Sequence, residues 1–309
     1  MMTRKRETKK GPDDQFLIDN HDRSVSGPES IGDGAGDQPG DATHPADVPA
    51  LVAGIRELHV RREQAVRMRM RLDNACRAFA RRLLGFQTML PEAQREGIRK
   101  RAEALVNGLM KGGNPATESE RVVSNLRPMV DATKLARMPF DGIDKACAAK
   151  MATLAEQLPG AEFVASVRGF GLAGFAQIVG EAGELSNYAN PAKLWKRMGL
   201  AVFDGKAQRK STDAELAVIM GYSPRRRSIS WRIGDCLIKG NKGEYYQLYV
   251  DRKAMELEKL PADAKGRKLH AHRRAQRYIE KRLMRNLWRA WRGQKVAVTL
   301  KLCAAVLSS

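Results

Sequence analysis

Two short segments of the sequence combine residue types that suit the binding of phosphate groups. The first is Gly169-Phe170-Gly171, which separates the apolar segment Phe163–Val167 from a second apolar segment that begins near Ala173. Two glycines around one hydrophobic residue permit a tight hairpin, because glycine adopts backbone conformations that are closed to other residues. Phe170 is then expected to pack inward, while the free N–H groups at Leu172 and Ala173 point towards a phosphate. A purely structural turn is the alternative explanation.

The second segment, residues 221–239, places three arginines at the start of an amphipathic helix. Ser223 can cap this helix, and Pro224 suits its first turn. The apolar spacing predicts a buried face formed by Ile229, Ile233, Leu237 and Ile238. Because a helix N-terminus carries partial positive charge, basic residues there suit phosphate. The residues in question are Arg225, Arg226 and Arg227, with Arg232 one turn further on. A solvated charged face is the alternative.

A third basic helix is predicted within residues 264–292, which contain 11 Lys or Arg residues and a single acid, Glu280. An apolar residue recurs at every fourth position, in the series Ala271, Ala275, Ile279, Leu283, Leu287 and Trp291. Basic side chains coat the other positions, and the predicted phosphate contacts among them are Arg274, Arg277 and Arg285. The aromatic residues Tyr278, Trp288 and Trp291 either stack on unpaired bases or belong to the core.

The sequence does not predict a metal centre. His270 and His272 have no Cys or acidic partner at ligand spacing. Four carboxylates are interpreted as structural residues rather than as metal ligands: Asp144, Glu156, Glu181 and Glu184. We therefore expect no cofactor, and magnesium only if a catalytic partner is present.

The charge of the chain indicates a polyanionic partner. Its 309 residues include 55 Lys and Arg against 35 Asp and Glu, which gives a formal net charge of +20. Residues 1–47 hold 6 basic and 10 acidic side chains, so the rest of the chain carries the whole excess. Nucleic acid is the first hypothesis for the partner, and an anionic membrane surface is the second.

Several classes of protein are excluded by the pattern. No apolar run approaches the roughly 18 residues that a membrane span needs. The N-terminal Met-Met-Thr-Arg-Lys-Arg-Glu has no apolar segment behind its basic residues, unlike a secretory signal. The four cysteines lie 67 or more residues apart, which argues against a disulfide framework and against a zinc ribbon. These features favour a cytoplasmic protein with no membrane partner.

Helices must position the basic residues, and the periodicity predicts a mainly α fold. Residues 1–47 are expected to be a disordered tail, because they are rich in Gly, Asp and Pro. Residues 48–138 are expected to form a helical arm, 141–250 a hairpin domain, and 251–309 a basic helical region. Apolar residues recur at intervals of three and four from Leu51 to about Leu84, which is typical of a coiled coil. We therefore expect a homo-oligomer that forms through residues 51–84.

Further helix boundaries follow from prolines and caps. A helix is predicted at about 91–110, and another at 118–138 that is interrupted by Pro128 and closed before Pro139. Asp141 is then a plausible N-cap for a new helix. Asn190-Pro191 opens a short helix that carries Leu194 and Met198 inward. The basic residues on its outer side are Lys193, Lys196 and Arg197.

The hairpin region resembles a known family. The matching residues are Gly169-Phe170-Gly171, the segment Ile178–Leu185, Tyr188, Leu194 and Gly199-Leu200, without gaps. They resemble the C-terminal helix-hairpin-helix domain of bacterial insertion-sequence transposases that have an N-terminal Asp-Glu-Asp-Asp domain and a coiled-coil middle. Known members are guided by a structured bridge RNA. The resemblance covers about residues 51–240 and is strongest over 161–206, where Gly205-Lys206 resembles a Gly-Lys pair of the family.

The resemblance implies DNA binding in transposition, in the bacterial cytoplasm at the nucleoid. It implies that the turn and the residues around it grip the DNA backbone, including Lys206. The catalytic residues of the family are not found, because no segment matches its carboxylate domain and Asp204 stands where a serine nucleophile is needed. Ser211 is the nearest hydroxyl and is the candidate for a displaced nucleophile.

The leading hypothesis is therefore a DNA-binding protein of the transposase type without a catalytic domain of its own. An active, divergent recombinase that works with a partner chain is one alternative. A protein that recognises structured RNA by its shape is the other.

Overall fold

Helices make up nearly all of the regular structure. The computed structural model describes residues 47–113, 118–203, 205–263, 265–294 and 296. Ten α-helices follow one another in these residues: α1 Val48–Leu83, α2 Glu92–Met110, α3 Glu120–Glu156, α4 Ala161–Ser166, α5 Leu172–Ala182, α6 Pro191–Arg197, α7 Ala214–Met220, α8 Pro224–Lys239, α9 Glu244–Glu258 and α10 Arg267–Trp291. The other elements are a 3₁₀ turn at Leu185–Asn187 and an antiparallel pair of short strands, β1 Val202–Phe203 and β2 Lys206–Ala207.

The predicted mainly α class is confirmed by this element content. No helix in the described ranges combines the length and the apolar character that are needed to cross a membrane. Residues 1–46 of the predicted tail, Asp204 and residues 297–309 lie outside the described residues.

The two longest helices, α1 and α3, pack side by side as an antiparallel pair. Arg62 of α1 pairs with Asp144 of α3 at 2.7 Å, whereas Asp73, further along α1, accepts from Arg137 at 2.9 Å. The partners on α3 therefore come earlier in the chain as α1 advances. The apolar stripe that predicted a coiled coil is thus covered in part within the same chain: Ile55 is fully buried, whereas Met68 is 38% exposed. Pairing of residues 51–84 with a second copy stays a prediction.

The helix α3 runs without interruption through both of its prolines, so the predicted break at Pro128 and the predicted end before Pro139 are wrong. The predicted N-cap at Asp141 is wrong for the same reason. A proline inside a helix deprives the carbonyl four residues earlier of its donor. Both prolines and both of those earlier residues are exposed, so water can satisfy the carbonyls while the opposite face packs on α1. One helix therefore spans the predicted boundary between 138 and 141.

Buried side chains form two hydrophobic clusters. The smaller cluster joins α2 to α1 and α3 and contains Cys76, Ala80, Ala102, Leu105, Val106, Leu109, Val123, Leu126 and Val130. The larger cluster joins the start of α1 and the end of α3 to α4, α5, α6, α8, α9 and α10. Within it, the ring of Trp291 meets Phe175 edge-on, with the centroids 6.0 Å apart. This larger cluster is the scaffold that positions the predicted phosphate contacts.

The apolar four-residue step predicted for α10 is confirmed. Its six residues are all 6% exposed or less, and all of them except Ala271 belong to the larger cluster. The helix α9, which the sequence reading missed, packs along α10, and Asn286 donates to the hydroxyl of its buried Tyr245 at 2.9 Å. The helix α7 was also missed, although Asp213 caps it and Gly221 ends it in a left-handed conformation.

Candidate nucleic-acid interface

Residues 167–171 form the turn between α4 and α5. Gly169 has a φ of +82°, and a Cβ there would lie 2.7 Å from the carbonyl oxygen of Cys236 in α8, so this position requires glycine. Phe170 is buried, and its amide donates to the carbonyl of Val167 at 3.1 Å. The inward packing of Phe170 is therefore confirmed. The prediction that Gly171 adopts a backbone conformation closed to other residues is wrong, because any residue can adopt its φ of −109°.

The N-terminal end of α5 is accessible to a ligand. A Cβ on Gly171 would meet no atom within 4 Å, and Ala173 is exposed. The amides of Leu172 and Ala173 lie in the first turn of α5, where the helix itself offers them no carbonyl. Phosphate binding by these amides stays a prediction.

A basic pocket of about 640 Å³ lies between the 3₁₀ turn, α6 and the start of α8. Asn190 caps α6 by accepting from the amide of Lys193 at 3.1 Å, which sets the direction of the helix and buries Leu194. The residues that line the pocket are Asn187, Tyr188, Ala189, Lys193, Lys196, Arg197, Gly221 and Arg226. Four of them are basic and none is acidic. The structure thus brings together four of the predicted contacts from two separate segments.

The positive charges in this basic pocket are only partly offset. Burial, together with the charge of Arg197, lowers the pKa of Arg226. The Nε atom of Arg226 lies 3.4 Å from Glu181, which is its acidic neighbour beneath the pocket. Burial also raises the pKa of Tyr188 in spite of the opposing charges of Arg197, Arg226 and Arg56. Arg56 of α1, which does not line the pocket, therefore adds positive charge near Tyr188.

The buried carboxylate of Glu181, in α5, connects α1 to α8. Its Oε1 atom lies 3.0 Å from His59 Nε2 and 2.6 Å from Arg225 Nε. Arg225 also contacts Glu63 of α1. Although burial opposes its charge, hydrogen bonds from His59 and Arg225 lower the pKa of Glu181 to about 2. The guanidinium of Arg225, a predicted phosphate contact, thus joins α8 to α1 and α5 in this structure.

The same three residues, His59, Glu63 and Glu181, place their ligand atoms within 4.8 Å of one another, a spacing that could in principle hold a metal ion. Arg225 pairs with both carboxylates, and Arg226 approaches Glu181 as well. These guanidinium groups already supply the positive charge that a cation would bring, and they repel a further cation. The donor set therefore fits an ion-pair network better than a metal centre.

Three of the other residues that were considered as metal ligands have partners elsewhere. Asp144 pairs with Arg62, and Glu184 accepts from the hydroxyl of Ser186. His272 Nδ1 lies 2.9 Å from the hydroxyl of Tyr249. Within the described ranges, His270 and His272 do not belong to a group of three ligands.

Arg227 forms a second buried ion pair, with Glu280 of α10, at 2.7 Å. Burial raises the pKa of Glu280 to about 7 in spite of this partner. Gly234 makes the close approach of α8 and α10 possible, because a Cβ there would lie 2.7 Å from Glu280 Oε1. Arg227 thus fastens α8 to α10.

The three predicted contacts on α10 also have partners inside the protein or are half-buried. Arg274 pairs with Glu256 at 3.0 Å. Arg277 donates to the carbonyls of Gly199 and Ala201, both at 3.2 Å. Burial lowers the pKa of Arg285. Phosphate contact by these arginines stays a prediction. Arg274 also links α10 to α9, and Arg277 links α10 to the segment that follows α6.

The remaining predicted residues lie on the loop that leads to α7. Lys206 is exposed on β2. The hydroxyl of Ser211 accepts from the amide of Asp213 at 3.1 Å, which is the geometry of a local turn. Gln208, which the sequence reading missed, is buried and donates to the carbonyls of Lys196 and Met220, so it holds this loop against α6. A catalytic role of Ser211 stays a prediction.

An arginine-lined groove lies on the other side of α8 and was not predicted as a site. Its volume is about 560 Å³, and its basic lining residues come from α1 and α8: Arg62, Arg67, Arg69, Arg225 and Arg232. Arg62 and Arg69 stand seven residues apart, which is the spacing that places two side chains on one helix face. This seven-residue spacing is the feature of the sequence that could have predicted the groove.

Comparison with models of protein families, with curated protein sequences and with solved structures finds no match to this chain.

Proposed function

We propose that this chain binds nucleic acid by holding the phosphate backbone of DNA in the basic pocket between α6 and α8. The observation that carries the proposal is the lining of that pocket, in which Lys193, Lys196, Arg197 and Arg226 meet without an acidic residue. We further propose a role in DNA transposition, in line with the resemblance of the hairpin region to insertion-sequence transposases.

The physics of polyanion binding explains why such a pocket favours nucleic acid. Four cations that face one another repel, and a row of phosphates relieves that repulsion. Each phosphate that is neutralised also releases condensed counterions, which favours binding at low salt. The logarithm of the association constant therefore falls by about 0.9 per phosphate contact for each tenfold rise in salt. The large positive net charge of the chain adds long-range attraction to this local site.

Equilibrium binding of a fluorescent DNA duplex in rising salt tests the proposal. The double variant Lys193→Gln/Lys196→Gln removes two pocket charges, and Lys145→Gln/Lys150→Gln removes two exposed charges from α3 as a matched control. Loss of two phosphate contacts lowers the salt slope by about 1.8 and weakens binding about 60-fold at 0.1 M salt. We expect this loss for the pocket variant, and a small change for the control variant.

Two outcomes would contradict the proposal. One is binding by the unchanged protein that is undetectable or insensitive to salt. The other is an equal loss in both double variants, which would mean that overall charge and not the pocket decides binding. Competition between the duplex and a folded RNA hairpin separates the DNA proposal from the RNA alternative, because a shape-selective RNA binder would prefer the hairpin at every salt concentration.

A further inference from the structure

Trp231 in the middle of α8 differs from the other three tryptophans of the chain. Trp195 donates to the carbonyl of Lys281, Trp288 donates to the carbonyl of Tyr188, and Trp291 is buried. The side chain of Trp231 is 49% exposed. Among the described residues, its ring and its N–H group have no hydrogen-bond, ring or cation partner. A tryptophan N–H group that is buried normally finds a partner within the protein, whereas the ring and the N–H group of exposed Trp231 are open to a ligand.

The surroundings of Trp231 are polar and include exposed basic residues. One turn away on α8 lie Ser228, Gly234, Asp235 and Arg227, the last of which pairs with Glu280. Exposed Arg232 follows Trp231 directly in the chain. Gln276 donates to the carbonyl of Trp231 at 2.9 Å, which places the tryptophan beside α10 one turn from exposed Arg273. An apolar protein partner would require further exposed hydrophobic residues next to the indole. The neighbours of Trp231 on its own helix do not provide them.

We propose that Trp231 is a stacking platform for an unpaired nucleobase, so that the chain takes single-stranded segments of nucleic acid as ligands. An indole face stacks on any base, and the exposed guanidinium groups of Arg232 and Arg273 hold the adjoining phosphates. A base within a duplex is covered by its neighbours and cannot reach the indole, so the segment must be unpaired. This inference rests on the proposed function, since α8 also supplies Arg226 to the basic pocket.

Binding of labelled oligonucleotides by the full chain tests the inference. The probes are a thymidine 20-mer, a uridine 20-mer and a DNA duplex of the same length, and the variants are Trp231→Ala, Trp231→Leu and Trp231→Phe. Because stacking on one aromatic residue contributes about 5- to 150-fold in affinity, we expect Trp231→Ala and Trp231→Leu to lose that factor on both single strands. Trp231→Phe should keep most of the affinity, and all three variants should bind the duplex within about twofold of the unchanged protein.

Intrinsic tryptophan fluorescence gives a second readout. Stacking should quench the emission of the unchanged protein when the thymidine 20-mer is added, and Trp231→Leu should lose that quenching. The two single-stranded probes show whether DNA or RNA supplies the base.

Three results would overturn the inference. The first is unchanged single-strand binding by Trp231→Ala and Trp231→Leu. The second is an equal loss of duplex and single-strand binding, which would show that Trp231 has no preference for unpaired bases. The third is a change of oligomeric state in Trp231→Ala and Trp231→Leu, measured by sedimentation, which would make Trp231 part of an interface between protein chains. Absence of all binding by the unchanged protein contradicts the proposed function instead, so the two failures are distinguishable.

Discussion

Gly180 of α5 lies directly against His59 of α1. A Cβ on Gly180 would lie 2.6 Å from His59 Cγ and 2.8 Å from His59 Cβ, distances that side chains do not adopt. In Gly180→Ala the imidazole must therefore move, and its contact with Glu181 is then lost. Overpacking of this kind costs about 1–3 kcal/mol. Loss of the hydrogen bond to a buried charge costs about 1.5–3 kcal/mol more, while the helix propensity of alanine returns about 1 kcal/mol.

The net expectation for Gly180→Ala is a loss of about 3 kcal/mol in the free energy of unfolding. Urea denaturation followed by circular dichroism measures it. Gly142→Ala is the matched control, because Gly142 also lies within a helix but a Cβ there meets no atom within 4 Å. This control should gain about 0.5–1 kcal/mol from helix propensity. The double variant Gly180→Ala/His59→Ala removes the ring that clashes, so its loss should be smaller than the sum of the two single losses.

Two results would show that His59 does not exclude a side chain at position 180. One is a stability of Gly180→Ala equal to or above that of Gly142→Ala. The other is strict additivity in the double variant, which would show that the alanine methyl and the imidazole do not compete for the same space.

Two further predictions concern pH. The pKa of Glu181, about 2, lies below its ordinary value of 4.5, so its ionised form stabilises the fold above about pH 4.5 and that contribution is lost as pH falls towards 2. The contribution is about 3 kcal/mol, and urea denaturation over this range should show a slope that Glu181→Gln reduces; an unchanged slope would contradict the assignment. The pKa of Glu280, about 7, lies above 4.5, so folding stability should fall as pH rises from about 4.5 to 7. Glu280→Gln should remove that fall, and a persistent fall in the variant would assign it to another group.

Local signals in the sequence predicted the elements that depend on nearby residues. Asn190 and Ser223 were recognised as caps, and both accept from the amide three residues later. The four-residue step of α10 predicted its buried face. Such features are encoded within one or two helical turns, so the sequence alone reveals them.

The partners of the basic residues could not be predicted, because they are distant in sequence. Arg225 meets Glu181, 44 residues earlier, and Glu63, 162 residues earlier. A run of arginines therefore looked like one phosphate site, whereas the fold directs Arg225 and Arg227 to internal carboxylates and leaves Arg226 at the pocket. The continuity of α3 through Pro139 was missed for a similar reason, since packing on α1 overrides the local preference of proline.

Chemical footprinting of lysines is a direct test of phosphate binding in the basic pocket. The protein is acylated with and without a saturating DNA duplex, and mass spectrometry reports the rate at each lysine. We expect Lys193 and Lys196 to react several-fold more slowly in the complex, while exposed Lys145 and Lys150 on α3 react at unchanged rates. Protection of Lys145 and Lys150, with Lys193 and Lys196 as reactive as in the free protein, would contradict this expectation.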